Sequence, residues 1–288
     1  MIPAQFDYQA PTTIDEAVSL LAAHPDEAKI LAGGHSLIPA MKLRLAQPGL
    51  LVDIGRIKDL AYIREQGDQI LIGAMTTHYQ IESSEALKQS CPLLPECASH
   101  IGDVQVRNKG TIGGSLAHSD PAGDWPAAAI ALGAEMVTVG QAGERLIKAD
   151  DFFVDLLSTA LRPGEILREI RIRKGNGRSG HAYQKVPHPA SGFAVVGVAV
   201  NLTLADDGSC GSSSIGITGV ASKAYRATSV ESALNGKPLD EQTISAAAVH
   251  ASDGVDANSD LYASEEYRRH LAQVHTRRAI QAAASRAH

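Results

Sequence analysis

The chain has 288 residues, 44% of them hydrophobic and 20% charged, which is enough apolar material for a core and enough length for two or three modest domains. Its formal net charge of -6 excludes a broad electrostatic grip on nucleic acid, because that grip needs Lys and Arg gathered in surplus on one face. No apolar run is long enough to span a bilayer, and residues 1–7 lack the basic start and apolar stretch of a secretory signal, so a cytoplasmic setting is expected.

In chain order, Thr13-Ile14-Asp15-Glu16 has the form of a capping box, and Ile14, Val18 and Leu21 repeat at helical spacing, so a short helix is expected over 14–24. Residues 28–31 read as a buried strand running into Ala32-Gly33-Gly34-His35-Ser36, after which 37–45 look helical with Pro39 in the tolerant first turn. A strand at 50–54 comes next, and the Gly67 turn before 69–76 opens a hairpin-rich region. A helix near 93–101 leads to a second glycine segment, Arg107-Asn108-Lys109-Gly110-Thr111-Ile112-Gly113-Gly114-Ser115, with a helix at 125–132 and strands at 135–139 and 165–173 beyond it. The tract Lys174-Gly175-Asn176-Gly177-Arg178-Ser179-Gly180 holds three glycines and nothing apolar, so the domain boundary is placed there, dividing the chain into 1–175 and 176–288. Downstream, 193–204 and 214–220 read as a hairpin turning at Asp206-Asp207-Gly208, and the rest as helical, ending in a long helix from about Ser264 whose buried face carries Tyr267, Leu271 and Val274. Strands and helices do not alternate as in a doubly wound sheet, so the expected class is α+β.

Cys91, Cys97 and Cys210 form an odd set with no CxxC pair, and none of the 11 histidines sits in an HExxH pair, so no metal is expected on this chain. The two glycine segments are more informative. A dinucleotide diphosphate can be held without spare cations by backbone N–H groups that glycine turns present at helix starts. Both segments have the form small-Gly-Gly-polar, and neither is the GxGxxG of a nicotinamide site. Past the second, Asp120 and Asp124 offer acceptors for ribityl or ribose hydroxyls, although each also reads as a turn or cap residue, with Asp124 before Trp125-Pro126 suited to a helix N-cap.

The segments Ile30-Leu31-Ala32-Gly33-Gly34-His35-Ser36-Leu37, Gln105 to Ser115 and Leu161-Arg162-Pro163-Gly164-Glu165-Ile166-Leu167, in this order and spacing, resemble the FAD-binding medium subunit of the molybdenum hydroxylase family, the carbon monoxide dehydrogenase/xanthine dehydrogenase type. The resemblance runs essentially end to end. It implies an FAD-binding domain of the vanillyl-alcohol oxidase/p-cresol methylhydroxylase type with subdomains of about 1–55 and 56–175, followed by a C-terminal α+β domain with a small antiparallel sheet and helices. It further implies that Leu31, Ala32, Gly33, Gly34, His35, Ser36, Leu37, Thr111, Ile112, Gly113, Gly114 and Ser115 wrap the diphosphate and ribityl of a non-covalent FAD. Asp120 and Asp124 would meet the polyol, Leu161 would pack by the isoalloxazine, and Lys185 would approach the ring and favour its reduced form. Molybdenum cofactor and iron–sulfur clusters would lie on partner subunits, a large and a small one, in a dimer of heterotrimers, with this chain as the electron outlet. Two departures stand out: Ser115 replaces a frequent asparagine, and 186–192 lacks the Lys-Arg-Lys run of carbon monoxide dehydrogenases, so a heterocycle or an aldehyde is expected as substrate at least as readily as carbon monoxide. The competing readings are a free-standing flavin oxidase or reductase of the same fold and a cofactor-free assembly protein.

Overall fold

The computed structural model describes residues 1–175 and 178–287, so Asn176 and Gly177 of the glycine tract lie outside the described residues. The chain opens with β1 (Asp7–Gln9), α1 (Ile14–Ala23), β2 (Ala28–Leu31), α2 (Leu37–Lys42) and β3 (Leu50–Asp53). β1 and β2 flank β3, and all three run parallel. Thr13 caps α1 by accepting from the Glu16 amide at 3.2 Å, but the Glu16 carboxylate takes the Thr12 amide at 2.8 Å, so the reciprocal half of the expected capping box falls one residue upstream.

The next stretch contributes β4 (Ile63–Gln66), β5 (Gln69–Gly73), α3 (His78–Glu82), α4 (Glu85–Ser90), α5 (Leu93–Ser99), α6 (Val104–Lys109), α7 (Ile112–His118) and α8 (Asp124–Ala131). It continues with β6 (Glu135–Gly140), β7 (Gly143–Lys148), α9 (Ala149–Phe152), the short pair β8 (Phe153–Asp155) and β9 (Ser158–Thr159), and β10 (Ile166–Arg173). These strands build an antiparallel sheet in the order β4-β5-β10-β6-β7. The last strand lies at its centre, so the six helices α3 to α8 are an excursion pinned at both ends by one sheet. The α8 N-cap is Gly123, and Asp124 is the first helical residue, which corrects the expectation that Asp124 caps this helix. A carboxylate in the first turn still meets the positive end of the helix dipole.

The C-terminal sheet is β11 (Ser179–Pro187), β12 (Ala194–Leu204), β13 (Cys210–Thr218) and β14 (Tyr225–Arg226), antiparallel in chain order, covered by α10 (Thr228–Leu234), α11 (Glu241–Ala248) and α12 (Glu265–Arg286). The hairpin turn at Asp206-Asp207-Gly208 forms as expected, with Gly208 at φ 82°. β11 was not foreseen. On α12 the buried face is Arg268, Leu271, Ala272, His275, Thr276, Ala279, Ile280 and Ala283, while Tyr267 is exposed and Val274 only half-buried. Small residues let this helix lie close to the sheet, and the larger Tyr267 is turned outward.

α8 packs against β12 and β13. Gly216 on β13 permits this, because a Cβ there would lie 2.1 Å from the Ala127 carbonyl oxygen. Gly216→Ala is expected to lower the unfolding free energy by about 1–3 kcal/mol in urea titration, the usual cost of overpacking a filled interface; an unchanged midpoint would show that helix and sheet separate freely.

Candidate functional site

The first glycine turn leaves β2 and enters α2. Gly34 sits at φ 76°, in the left-handed region. Gly33 lies against the backbone of the second segment: a Cβ on it would be 2.1 Å from the Lys109 carbonyl oxygen and 2.8 Å from Gly110 Cα. A Cβ on Gly114 would be 3.5 Å from that of Ala32. The two turns therefore meet, as the sequence pattern requires. α6 delivers Lys109 to this junction, with its start capped by Asp103, which accepts from the Val106 amide at 2.8 Å. Arg107 holds its position by donating to Glu82 at 2.7 Å and to the carbonyls of Ile101 and Gly102.

The turns do not share the work equally. The amides of Ile112 and Gly113 donate to Thr76 O and Ala74 O, and those of Gly114 and Ser115 donate to Thr111 Oγ1 and Thr111 O. By contrast, no described residue accepts from the backbone N–H of Gly33, Gly34, His35, Ser36 or Leu37. The expectation that both turns present free amides is thus corrected: the first offers donors, and the second offers a close wall. Gly113 is glycine because Ala74 is next to it, a Cβ at that position lying 2.4 Å from Ala74 Cβ and 2.6 Å from Ala74 O. Thr111, Ile112 and Gly113 are buried, whereas Gly114 and Ser115 remain half-exposed, as do Leu31, Ala32, Ser36 and Leu37. His35 is exposed, its Nδ1 3.0 Å from Gly33 O.

α7 leads from this junction to Ser119, whose hydroxyl donates to Ser158 O, beside the segment carrying Leu161. Leu161 is half-buried against the main core. Residues 160–165 are fixed by Arg145, which donates to both oxygens of Glu165 at 3.0 and 2.6 Å and to Ala160 O at 2.8 Å. Asp120 is half-buried and turns the chain by accepting from the Ala122 amide at 2.9 Å. The C-terminal sheet clamps residues 121–123: Ala194 N donates to Ala122 O, Gly219 N to Pro121 O, and the single Thr218 hydroxyl proton is shared between Pro121 O and Gly123 O.

Asp124, 5% exposed, accepts from Tyr183 Oη at 2.5 Å and from Lys185 Nζ at 2.9 Å, and Lys185 also donates to His100 O at 2.8 Å. The Lys185 side chain is 1% exposed, so it is an interior lysine tied to a counterion. Burial pushes the Asp124 carboxyl up, opposed by Lys185 and by the Tyr183 hydrogen bond, and burial likewise holds the Tyr183 phenol well above its ordinary range. Tyr183 was missed by sequence reasoning. Its signal would have been period two along β11, which puts Tyr183 and Lys185 on one face.

A row of unpaired main-chain donors facing a wall that a Cβ would obstruct suits a diphosphate, with Asp120 beyond it available to hydroxyls. Comparison with known proteins agrees. Residues 4–173 match the family described as the FAD binding domain in molybdopterin dehydrogenase, and residues 181–283 match the CO dehydrogenase flavoprotein C-terminal domain. The chain is 41% identical over 286 residues to the carbon monoxide dehydrogenase medium chain of Hydrogenophaga pseudoflava, covering 99% of each. Its fold superposes with a TM-score of 0.97 on carbon monoxide dehydrogenase from that organism in a form lacking the Mo-pyranopterin moiety, at 42% identity and 100% coverage of both chains. It gives 0.93 on quinoline 2-oxidoreductase from Pseudomonas putida 86, at 33% identity and 99% coverage of both. The chain belongs to the FAD-binding medium-subunit family of the molybdenum hydroxylases, and it is an oxidoreductase subunit. Among the described residues no helix is long and apolar enough to cross a membrane.

Gly33→Ala pushes the turns apart at the Lys109 carbonyl and is expected to weaken FAD binding at least about tenfold in a fluorescence titration, while circular dichroism stays unchanged; native affinity would show that the contact is dispensable. Lys185→Met strands the Asp124 carboxylate in the interior and should cost about 3–5 kcal/mol of stability at neutral pH by urea unfolding, part of which Asp124→Asn in the same chain restores.

Proposed function

We propose that this chain is the electron-transfer subunit of a molybdenum-containing hydroxylase, taking electrons from a small iron–sulfur subunit and passing them to an external acceptor. The molybdenum cofactor would lie on a large subunit, and the whole would be a dimer of heterotrimers. The observation that carries this reading is the run of five unpaired amides from Gly33 to Leu37 set against the Thr111–Ser115 wall. In this reading Leu31, Ala32, Gly33, Gly34, His35, Ser36 and Leu37 hold the diphosphate of a non-covalent FAD from one side, with Thr111, Ile112, Gly113, Gly114 and Ser115 on the other. Asp120 and Asp124 serve the polyol, and Leu161 and Lys185 serve the ring. FAD supplies the ability to accept electrons singly and release them singly or in pairs.

Lys185 contributes charge. His100 O and Asp124 hold its ammonium, and with the side chain 1% exposed its positive charge would favour an electron-rich ring through its field rather than by contact. Because Asp124 balances that charge, the pair tunes the site gently. The same pairing speaks against a free-standing oxidase: Asp124, Tyr183 and Lys185 are committed to one another and serve poorly as a substrate acid or base. We divide the chain at 175/176, a reading supported by the separate sheets on either side. We also assign it to the cytoplasm, which its three unpaired, buried cysteines fit.

Native purification is the test. A complex of three kinds of subunit containing molybdenum, iron and FAD is expected, with FAD released intact on denaturation, and the isolated chain reloaded with FAD should pass electrons from an added artificial reductant only to artificial acceptors. Steady turnover of a small organic substrate by the isolated chain would overturn the subunit assignment.

A further inference from the structure

One buried imidazole has no part in the site as described. His78, the first residue of α3, is 4% exposed, and its ring lies between Trp125 and Gly110. Trp125 Nε1 donates to His78 Nδ1 at 3.0 Å. An indole N–H can only donate, so Nδ1 carries the lone pair and the imidazole proton sits on Nε2. That edge of the ring borders Gly110, where a Cβ would lie 2.6 Å from Nε2 and 2.8 Å from Cδ2. Gly110 is the residue whose backbone Gly33 abuts. The Nε2–H therefore stands beside the seam where the two glycine turns meet, and no described residue accepts from it.

Among the described residues, the fully buried side-chain polar atoms left without a partner are Ser213 Oγ, Arg268 Nε, His275 Nδ1 and Thr276 Oγ1, so Nε2 of the otherwise buried His78 keeps an opening through which a ligand can meet it. Burial pushes the His78 imidazole down to about 4, and the neighbouring charges of His35 and Arg107 act in the same direction, so the ring is a neutral donor at any physiological pH. The second wall also needs donors, because the amides of residues 112 to 115 are occupied inside the fold. We propose that His78 is a further cofactor-binding residue, its Nε2–H donating to an oxygen of the nucleotide seated between the turns. Trp125 is a positioning residue that locks the donor tautomer. The inference rests on the FAD reading above and adds to it a contact from the second wall.

The test uses the full chain labelled with 15N-histidine, titrated with FAD, beside the variants His78→Phe, His78→Gln and Trp125→Phe. In the wild type, the imidazole nitrogens should show the proton on Nε2, and that resonance should move when FAD binds. His78→Phe should weaken FAD binding by about 10–100-fold, and His78→Gln, whose amide places a donor at similar reach, should recover most of it. Trp125→Phe should give mixed tautomers and an intermediate loss. Wild-type chain that binds FAD with the His78 resonances unmoved, or a folded His78→Phe chain within twofold of wild-type affinity, overturns this inference alone. Wild-type chain that does not bind FAD overturns the cofactor reading and this inference together. Should His78→Phe fail to fold, the wild-type resonances decide.

Discussion

The backbone contact between Gly33 and Lys109–Gly110 is the constraint on which the site depends. A single methyl group at residue 33 would collide with the Lys109 carbonyl, so the turns can touch only while that position stays bare. Two helices of the excursion, α6 and α7, serve that contact. Asp103 and Arg107 fix α6, Thr111 caps α7, and the amides of residues 112 to 115 are consumed in holding the second segment to Ala74, Thr76 and Thr111. A wall that uses its hydrogen bonds internally is stiff, and a turn that keeps its N–H groups free is receptive. Their juxtaposition gives preorganisation without any net positive charge, which suits a chain whose formal charge is -6.

The C-terminal sheet shapes the turn between α7 and α8 rather than merely adjoining it. Ala194, Thr218 and Gly219 saturate the carbonyls of Pro121, Ala122 and Gly123, and β11 supplies Tyr183 and Lys185 to Asp124. Each such bond contributes on the order of 1 kcal/mol net, yet leaving those buried carbonyls unpaired would cost more than that. The turn that carries Asp120 therefore takes its shape from residues on the far side of the glycine tract. Gly216 completes the arrangement by letting α8 settle directly on β13.

Much of this was legible in the sequence, and the failures have physical causes. Local signals read well where one element decides its own conformation: Thr13 ahead of α1, the Gly67 and Gly208 turns, and the Gly-Gly pairs. The pairing of the two glycine segments also followed from their form. The distribution of hydrogen bonds did not, since nothing in Ile112-Gly113-Gly114-Ser115 reveals that Ala74 and Thr76 will claim two of its amides. β11 was missed because it is covered on both faces, Ala182 and Val186 lying on the C-terminal core while Tyr183 and Lys185 meet Asp124, so no clean apolar/polar alternation marks it. On α12, Tyr267 reads as apolar by type, but a helix lying close to a sheet selects Ala272, Ala279 and Ala283 for the contact. Tertiary context overrode the residue scale in both cases.

The Asp124–Lys185 pair is the feature that stability alone explains least. Two charges with almost no solvent exposure carry a desolvation penalty, and a pair of well-packed apolar side chains of similar volume would commonly do as well or better for folding. Tyr183 and the His100 carbonyl must be recruited to satisfy the pair, and burial pushes the Asp124 carboxyl up in spite of them. Such an arrangement gives the interior a fixed cation whose field is partly cancelled and whose direction is set by its partners. The pair's position at the end of the clamped turn and its supply from the second sheet make it a tie that fixes α8 to β11 across the glycine tract.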